Sequence, residues 1–175
     1  MTSNFETALA FTLRYEGGYV NDPDDLGGET NYGVTHATYA NYRRLKKLPP
    51  RSVRLIDQAE VRDIYKSLYW APAGCDLLPP NLARCHFDWA VNHGVRGATK
   101  TLQRTVGAVD DGMIGPLTRQ SIIGAIAKHG DKALANTYCL LRENWYRHEV
   151  QRRPSQRKFL QGWLNRVHAI KASIA

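Results

Sequence analysis

The sequence of 175 residues predicts a mainly α-helical protein built from two helical lobes. Apolar side chains recur at three- and four-residue spacing along most of the chain, as they do on the buried face of an amphipathic helix. One segment, residues 16–35, departs from that pattern, because it holds five carboxylates and five glycines and could not build a hydrophobic core. A weaker change of character near residues 93–97 divides the chain, and we predict lobes at 1–94 and 95–175.

The N-terminal lobe begins with a predicted helix over residues 4–15. Gly17-Gly18 ends this helix, since glycine commonly follows a last helical turn. The polar segment that follows is rich in turn-forming residues. It is predicted to form a short β-hairpin or an irregular loop, with a turn at Gly27-Gly28.

Capping residues predict where the later helices begin. Thr35 is expected to cap a second helix, and Asp57 with Glu60 has the form of a capping box that starts a third. Pro116 suits the first position of a helix, and Asp131 is predicted to cap a long helix that follows. The apolar residues of the last predicted helix are Phe159, Trp163, Val167 and Ile170.

The formal net charge of +8 is concentrated near the C-terminus. Eight basic residues lie between Arg142 and Lys171 and only two acidic ones, Glu143 and Glu149, so eight minus two leaves +6. A basic face attracts polyanions such as nucleic acid, anionic lipid or the acidic polymers of a bacterial wall. Charge alone does not choose among these partners.

Several classes of protein are disfavoured by composition. No apolar run approaches the ~20 residues that cross a bilayer, and the N-terminus lacks the basic start and apolar stretch of a signal peptide. We therefore expect synthesis in the cytoplasm and no membrane span. The cysteines Cys75, Cys85 and Cys139 form no CxxC pair and are predicted to be reduced and buried. The histidines show no metal-ligand spacing, so no metal is expected.

Glu16 is the strongest candidate for a catalytic group. It stands at or just past the end of the first predicted helix, where unpaired carbonyl groups carry negative partial charge. That field and the neighbouring aspartates favour a carboxyl group that keeps its proton, as a general acid must. The alternative is a surface glutamate that happens to end a helix.

Further carboxylates in the segment are Asp22, Asp24, Asp25 and Glu29. Two carboxyl groups flanking a bond, one protonated and one charged, are the usual equipment of glycoside hydrolysis. A calcium loop is the main competing interpretation. Counted from Asp22, however, the fifth position is Leu26 and the twelfth is Gly33, where an EF-hand loop needs an oxygen ligand and a glutamate.

A resemblance to the glycoside hydrolase family 108 lysozymes is carried by residues 16–35, Glu-Gly-Gly-Tyr-Val-Asn-Asp-Pro-Asp-Asp-x-Gly-Gly-x-Thr-Asn-Tyr-Gly-Val-Thr. The similarity continues through Tyr69-Trp70 and through Phe-Asp-Trp-Ala-Val-Asn at residues 87–92. Members are N-acetylmuramidases of phage endolysins, prophages and secretion-associated loci. The resemblance implies a lysozyme-like fold and hydrolysis of the β-1,4 bond between N-acetylmuramic acid and N-acetylglucosamine, without a cofactor.

The resemblance also implies residue roles. The glutamate of Glu-Gly-Gly is the family's catalytic acid, which is Glu16 here. In phage-type lysozymes a glutamate is followed after eight residues by an aspartate, and after five more by a threonine. Asp25 has this spacing from Glu16 and is the predicted second carboxylate, with Asp22 and Asp24 as alternatives. Thr30 follows after only four residues, with Asn31 at the literal position, and is a candidate for positioning a water or the sugar. Side chains predicted to bind substrate are Tyr19, Asn21, Tyr32, Trp70 and Asn92. The aromatic ones are chosen because their rings could stack on sugars; aromatics at helical spacing are more often core, and Trp70, beside a loop of proline and glycine, is the best exception.

The second half resembles the helical peptidoglycan-binding module that usually follows. The matching residues run from Leu102-Gln103 through Asp110-Asp111-Gly112 to Gly115-Pro116 and Thr118. A competing explanation is a plain turn between helices, with Asp and Gly at the turn and Pro at the helix start.

The predicted partner is therefore bacterial peptidoglycan, reached with the help of a holin or an export system, and no nucleic acid is expected. Two other functions stay open from the sequence. A lytic transglycosylase would also use one glutamate, and a non-catalytic wall-binding secretion accessory protein could share the fold.

Overall fold

A computed structural model describes residues 3–21 and 29–174 of the chain. The helices are α1 (Asn4–Thr12), α2 (His36–Leu45), α3 (Gln58–Tyr65), α4 (Pro80–His93), α5 (Val95–Val106), α6 (Pro116–Arg152) and α7 (Leu160–Ala172). Short 3-10 turns cover Val53–Leu55, Cys75–Leu77 and Pro154–Phe159, and a π-helix covers Lys66–Trp70. Strands β1 (Thr30–Asn31) and β2 (Val34–Thr35) form an antiparallel hairpin. The predicted mainly helical fold with a short hairpin after the first helix is confirmed.

Most of the predicted helix starts are confirmed by their capping contacts. The Thr35 side chain accepts a hydrogen bond from the backbone N–H of Thr38 at the start of α2. Asp57 and Glu60 form a complete capping box at the start of α3, each side chain accepting from the other's backbone N–H. Pro116 occupies the first turn of α6.

The predicted role of Asp131 as the cap of its own helix is wrong. Its two carboxylate oxygens accept hydrogen bonds from the backbone N–H groups of Asn81 and Leu82, at 2.9 and 2.8 Å. Those groups belong to α4, which begins with Pro80 and whose N-cap, Pro79, makes no capping hydrogen bond. A carboxylate from α6 therefore accepts hydrogen bonds from first-turn N–H groups of α4, which have no acceptor within their own helix. Within α6 the break comes one residue earlier, at Gly130, whose φ is +75°.

Two helix ends differ from their predicted positions. α1 ends at Thr12, and the next turn tightens because the N–H groups of Arg14 and Tyr15 bond to the carbonyls three residues before them. Glu16 therefore lies four residues beyond the helix. At the other end of the chain, Phe159 precedes α7 and is 45% exposed, so it does not share the buried face of that helix.

The hairpin turn lies at Tyr32-Gly33, where both residues have positive φ, 50° and 71°. Two positive φ values are the signature of the type I′ turn, which matches the twist of an antiparallel pair. A further antiparallel bridge joins Val20 to Thr30, so the chain before the hairpin lies along β1. The predicted turn at Gly27-Gly28 lies outside the described residues.

Helix α4 is the centre of the structure. It packs against α1, α5, α6 and α7, and nine of its residues are buried. One cluster of buried apolar side chains runs from Phe5 in α1 to Ile170 in α7, across both predicted lobes. The division at residue 94 stays a prediction. In the described part of the chain, no helix is both long enough and apolar enough to span a membrane.

Candidate active site

Glu16 lies between the hairpin turn and helix α7. The turn after α1 carries it, and its side chain is 21% exposed. One carboxylate oxygen, Oε1, accepts a hydrogen bond of 2.9 Å from Nη2 of Arg166 in α7. The carboxylate is thus oriented by a cation while part of it stays accessible to solvent.

The second carboxylate oxygen of Glu16 faces the hairpin turn. A Cβ placed on Gly33 would lie 2.9 Å from Glu16 Oε2 and 2.6 Å from the hydroxyl oxygen of Tyr65. No side chain fits in that space, and the φ of +71° is one that residues other than glycine rarely adopt. The Tyr65 hydroxyl donates to the carbonyl of Tyr32 at 2.8 Å, which holds the turn against α3.

A buried charge cluster lies behind Glu16. Asp88 of α4 is fully buried and accepts hydrogen bonds from Arg142 of α6 at 2.6 Å and from Arg166 at 2.7 Å. Thr12, the last residue of α1, donates to the same carboxylate at 3.1 Å. Counted with Glu16, the cluster holds two carboxylates and two guanidinium groups, so its formal charges cancel. Such compensation is what allows ions to be buried.

The ionisation of the buried groups follows from these contacts. Burial disfavours the charged form of Asp88, but Arg142 and Arg166 outweigh that effect and lower its pKa. Burial, and then the negative charge of Glu16, raise the pKa of Tyr65 and of Tyr69. Both phenols are therefore neutral at physiological pH, while Asp88 is ionised.

The predicted ligands on the hairpin side lie near one another. Tyr19 is 38% exposed and donates to Glu29 Oε1 at 3.2 Å, and the guanidinium carbon of Arg54 lies 5.4 Å from its ring centroid. Asn21 is exposed at the end of the same stretch. Thr30 pairs through its backbone with Val20.

Tyr32 stands at the hairpin turn beside Gly33, and Asn31 points inward. The side-chain amide of Asn31 donates to the carbonyls of Val53 and Arg54. Asn31 therefore has a structural partner of its own.

The other two predicted ligands have different surroundings. Trp70 is 2% exposed, packs edge-on against Phe5 and Phe87, and donates from its indole N–H to Asp76. No face of that ring is open to a sugar. Asn92 is exposed near the end of α4 and accepts from the Tyr146 hydroxyl at 2.8 Å.

Asp25, the predicted second carboxylate, and its alternatives Asp22 and Asp24 lie outside the described residues. Residues on either side of them, Asn21 and Glu29, belong to the hairpin region. Within residues 3–21 and 29–174, no cluster of three histidine, cysteine or acidic side chains could hold a metal ion.

Sequence reasoning missed the cluster of Asp88, Arg142 and Arg166. All three carried a detectable signal, a charged residue on the apolar face of a helix. Asp88 stands between the apolar residues Phe87 and Trp89, and Arg166 stands next to Val167 on the buried face of α7. The interpretation of the C-terminal basic residues as one solvated, polyanion-attracting face is wrong for Arg142 and Arg166, which are 1% and 7% exposed.

The second-half motif forms the connection between α5 and α6. The side-chain amide of Gln103 contacts Asp111 Oδ1 at 2.7 Å and Thr118 Oγ1 at 3.1 Å, and its oxygen accepts from the N–H of Gly112 at 2.8 Å. Gln103 thus joins α5 to the turn and to the start of α6, and this structural role explains the residue types of the motif. They leave Val109 and Met113 exposed beside it.

The fold, with its two-stranded hairpin beside a glutamate that follows the first helix, is that of a lysozyme-like protein. The sequence model described as "Glycosyl hydrolase 108" matches residues 9–94, and the one described as "Predicted Peptidoglycan domain" matches residues 97–168. Over the first range the chain therefore carries the glycosyl hydrolase 108 domain, and over the second it carries the peptidoglycan domain. This confirms the resemblance seen in the sequence.

A solved structure extends the match to nearly the whole chain. "Structure of Brucella abortus SagA" is 29% identical, covers 97% of this chain and 92% of its own, and has a TM-score of 0.75. A sequence comparison with curated proteins finds no match.

Proposed function

We propose that this protein is an N-acetylmuramidase that hydrolyses the β-1,4 bond between N-acetylmuramic acid and N-acetylglucosamine in peptidoglycan. The observation that carries the proposal is the Glu16 carboxyl group, oriented by Arg166 and Gly33 yet 21% exposed. The two family matches, to a glycosyl hydrolase and to a peptidoglycan domain, support the substrate class.

In the proposed reaction Glu16 protonates the leaving glycosidic oxygen. Proton transfer from a positioned carboxylic acid lowers the barrier to departure of the leaving sugar, and positive charge develops at the anomeric carbon. A second carboxylate, for which Asp25 is the first candidate, stabilises that charge or activates a water molecule. Thr30, five residues after Asp25 in the sequence, is proposed to orient the water or the sugar.

The backbone between Glu16 and Tyr19 is proposed to line the sugar site. A Cβ built on Gly17 or on Gly18 meets no described atom within 4 Å, so a ligand has room to approach this backbone closely. The exposed Tyr19 ring lies at the end of the same stretch and offers a surface for the C–H face of a sugar. Because Trp70 is buried, we leave it out of the proposed binding site.

Asp25→Asn is expected to lower the rate of reducing-end release from purified peptidoglycan by at least roughly 100-fold, because the developing positive charge loses its partner. The matched controls Asp22→Asn and Asp24→Asn are expected to retain most activity. A small effect at Asp25 with a large one at either neighbour would move the role to that neighbour.

Mass spectrometry of digested peptidoglycan tests the proposal directly. A muramidase is expected to leave muropeptides with a reducing N-acetylmuramic acid end, since water attacks the anomeric carbon. A 1,6-anhydro end would instead identify a lytic transglycosylase, and no new ends would identify a non-catalytic wall-binding protein. Because peptidoglycan lies outside the cytoplasm, the proposed activity also requires a release route, and a holin or exporter is the predicted one.

A further inference from the structure

The charge cluster behind Glu16 is the most unusual polar feature in the described part of the chain. Asp88, Arg142 and Arg166 are each less than a tenth exposed, and they join three helices, α4, α6 and α7. Replacing a buried ion pair by apolar residues is often neutral or stabilising, so such a cluster is weak evidence of a purely stabilising role. Its position next to Glu16 calls for a functional explanation.

The contacts of Arg166 fix the direction of its guanidinium group. Its Nε lies 3.1 Å from both oxygens of Asp88, and its Nη2 lies 2.7 Å from Asp88 Oδ1. This two-pronged contact uses the planar fork of arginine and sets the plane of the group. The same Nη2 donates to Glu16 Oε1 at 2.9 Å. Because Asp88 fixes the guanidinium group, it also fixes the direction of the hydrogen bond that the Glu16 carboxylate accepts.

The turn that carries Glu16 is anchored to this cluster at both ends. Thr12, four residues before Glu16, donates to Asp88, while Glu16 itself accepts from Arg166. Arg142 donates to Oδ2 of the same Asp88 at 2.6 Å. A glutamate side chain otherwise rotates about three bonds, and here the cluster restricts it to one direction facing Gly33.

We infer that Arg166 is a positioning residue for the catalytic acid, so that the C-terminal helices complete the active site as well as contacting the wall. This inference rests on the proposed function. Arg166 lies within the range matched by the peptidoglycan domain, while Glu16 lies within the range matched by the glycosyl hydrolase. The two matched regions thus form one catalytic unit.

The electrostatic setting makes the inference measurable. Within the described ranges, the titratable and charged groups that interact with Glu16 are Tyr65, Tyr69 and Arg166, and Asp88 and Arg142 lie behind Arg166. The two tyrosines stay neutral and Asp88 stays ionised at the pH of an activity assay, so among the described residues the charge in contact with Glu16 is that of Arg166. Removing that cation favours the protonated acid, which acts as the proton donor.

Arg166→Gln is expected to move the alkaline limb of the pH profile of kcat/KM upward, because the cation that contacts the acid is lost. It is also expected to lower kcat by roughly 10- to 100-fold with little change in KM, because the acid loses its orientation. Arg166→Lys keeps the charge without the fork. It is expected to leave the alkaline limb near its wild-type position while kcat still falls, and it provides a second variant if the glutamine variant folds poorly.

Arg142→Gln is the matched comparison, because Arg142 is equally buried on Asp88 but does not contact Glu16. It is expected to lower the melting temperature at least as much as Arg166→Gln and to move the alkaline limb less. Equal shifts in the two glutamine variants, or an unchanged profile in Arg166→Gln, would overturn the inference. If the wild-type protein releases no muropeptides, the proposed function fails instead, so the two failures are distinguishable.

Discussion

Glu16→Gln is expected to reduce the hydrolysis of purified peptidoglycan by roughly 100- to 10,000-fold, the usual contribution of a positioned general acid. The amide has the shape of the carboxyl group but cannot deliver its proton to the glycosidic oxygen. The measurement is the rate of release of new reducing ends, followed over a range of enzyme concentrations.

Stability should change little in the same variant. The amide oxygen of glutamine can still accept the hydrogen bond from Arg166, so the loss is expected to be no more than about 1 kcal/mol. For a chain of this size that is a shift in melting temperature of about 2–4 °C. A large loss of activity with a nearly unchanged melt therefore separates a chemical role from a structural one.

Glu6→Gln provides a matched control on the same helix–turn unit. Glu6 lies in the first turn of α1 and pairs with Arg62 of α3 in a solvent-accessible ion pair. The same substitution there is expected to leave hydrolysis unchanged. If Glu16→Gln retained more than about a tenth of the wild-type rate, the assignment of the acid would be wrong.

Asp88→Asn is expected to have the largest effect on stability, about 3–5 kcal/mol. The substitution removes the negative charge that compensates two buried guanidinium groups, and the amide nitrogen faces donors that it cannot satisfy. For a chain of this length the loss corresponds to a fall in melting temperature of roughly 10 °C. Thermal unfolding followed by circular dichroism measures it.

The pH dependence of that effect has a definite sign. Because the arginines lower the folded-state pKa of Asp88, its ionised form stabilises the protein at neutral pH. That contribution disappears as the pH falls from about 4, the ordinary aspartate value, through the lower folded-state pKa. The difference in stability between wild type and Asp88→Asn should therefore shrink in strong acid.

Asp110→Asn is the control for Asp88→Asn, because Asp110 pairs with Arg104 at the surface, where its side chain is 43% exposed. Exposed pairs contribute little, so a change below about 1 kcal/mol is expected. Similar losses in the two variants would show that burial of Asp88 in the charge cluster does not matter for stability.

Sequence patterns correctly predicted helix-capping contacts between residues that are close together in the chain. Thr35 and the Asp57–Glu60 pair cap the helices that they were predicted to cap, because those contacts span three residues. Asp131 has the residue type of a cap but serves α4, fifty residues away in sequence, because that helix begins with prolines and borrows its acceptor. Residue type predicted the chemistry of the contact but not its partner.

Aromatic residues show the same division. Trp70 stands beside a loop rich in proline and glycine, which favoured an exposed sugar platform. The structure buries it between Phe5 and Phe87, because the π-helix turns its side chain toward α1 and α4. Tyr19, on the glycine-rich segment, remains exposed.

The class of fold, the family resemblance and the candidate acid could all be predicted from the order of the residues. Helical periodicity, caps and the run from Glu16 to Thr35 are properties of neighbouring residues, so they can be read without coordinates. The surroundings of that acid could not be predicted in this way, because they come from residues that are distant in the sequence. Arg166 reaches Glu16 across 150 residues of chain, and Asp88 and Gly33 complete its surroundings from two other elements. A buried charge needs an opposite charge beside it, and here that partner comes from a distant part of the chain. The spacing of residues along the sequence does not show which charges will pair.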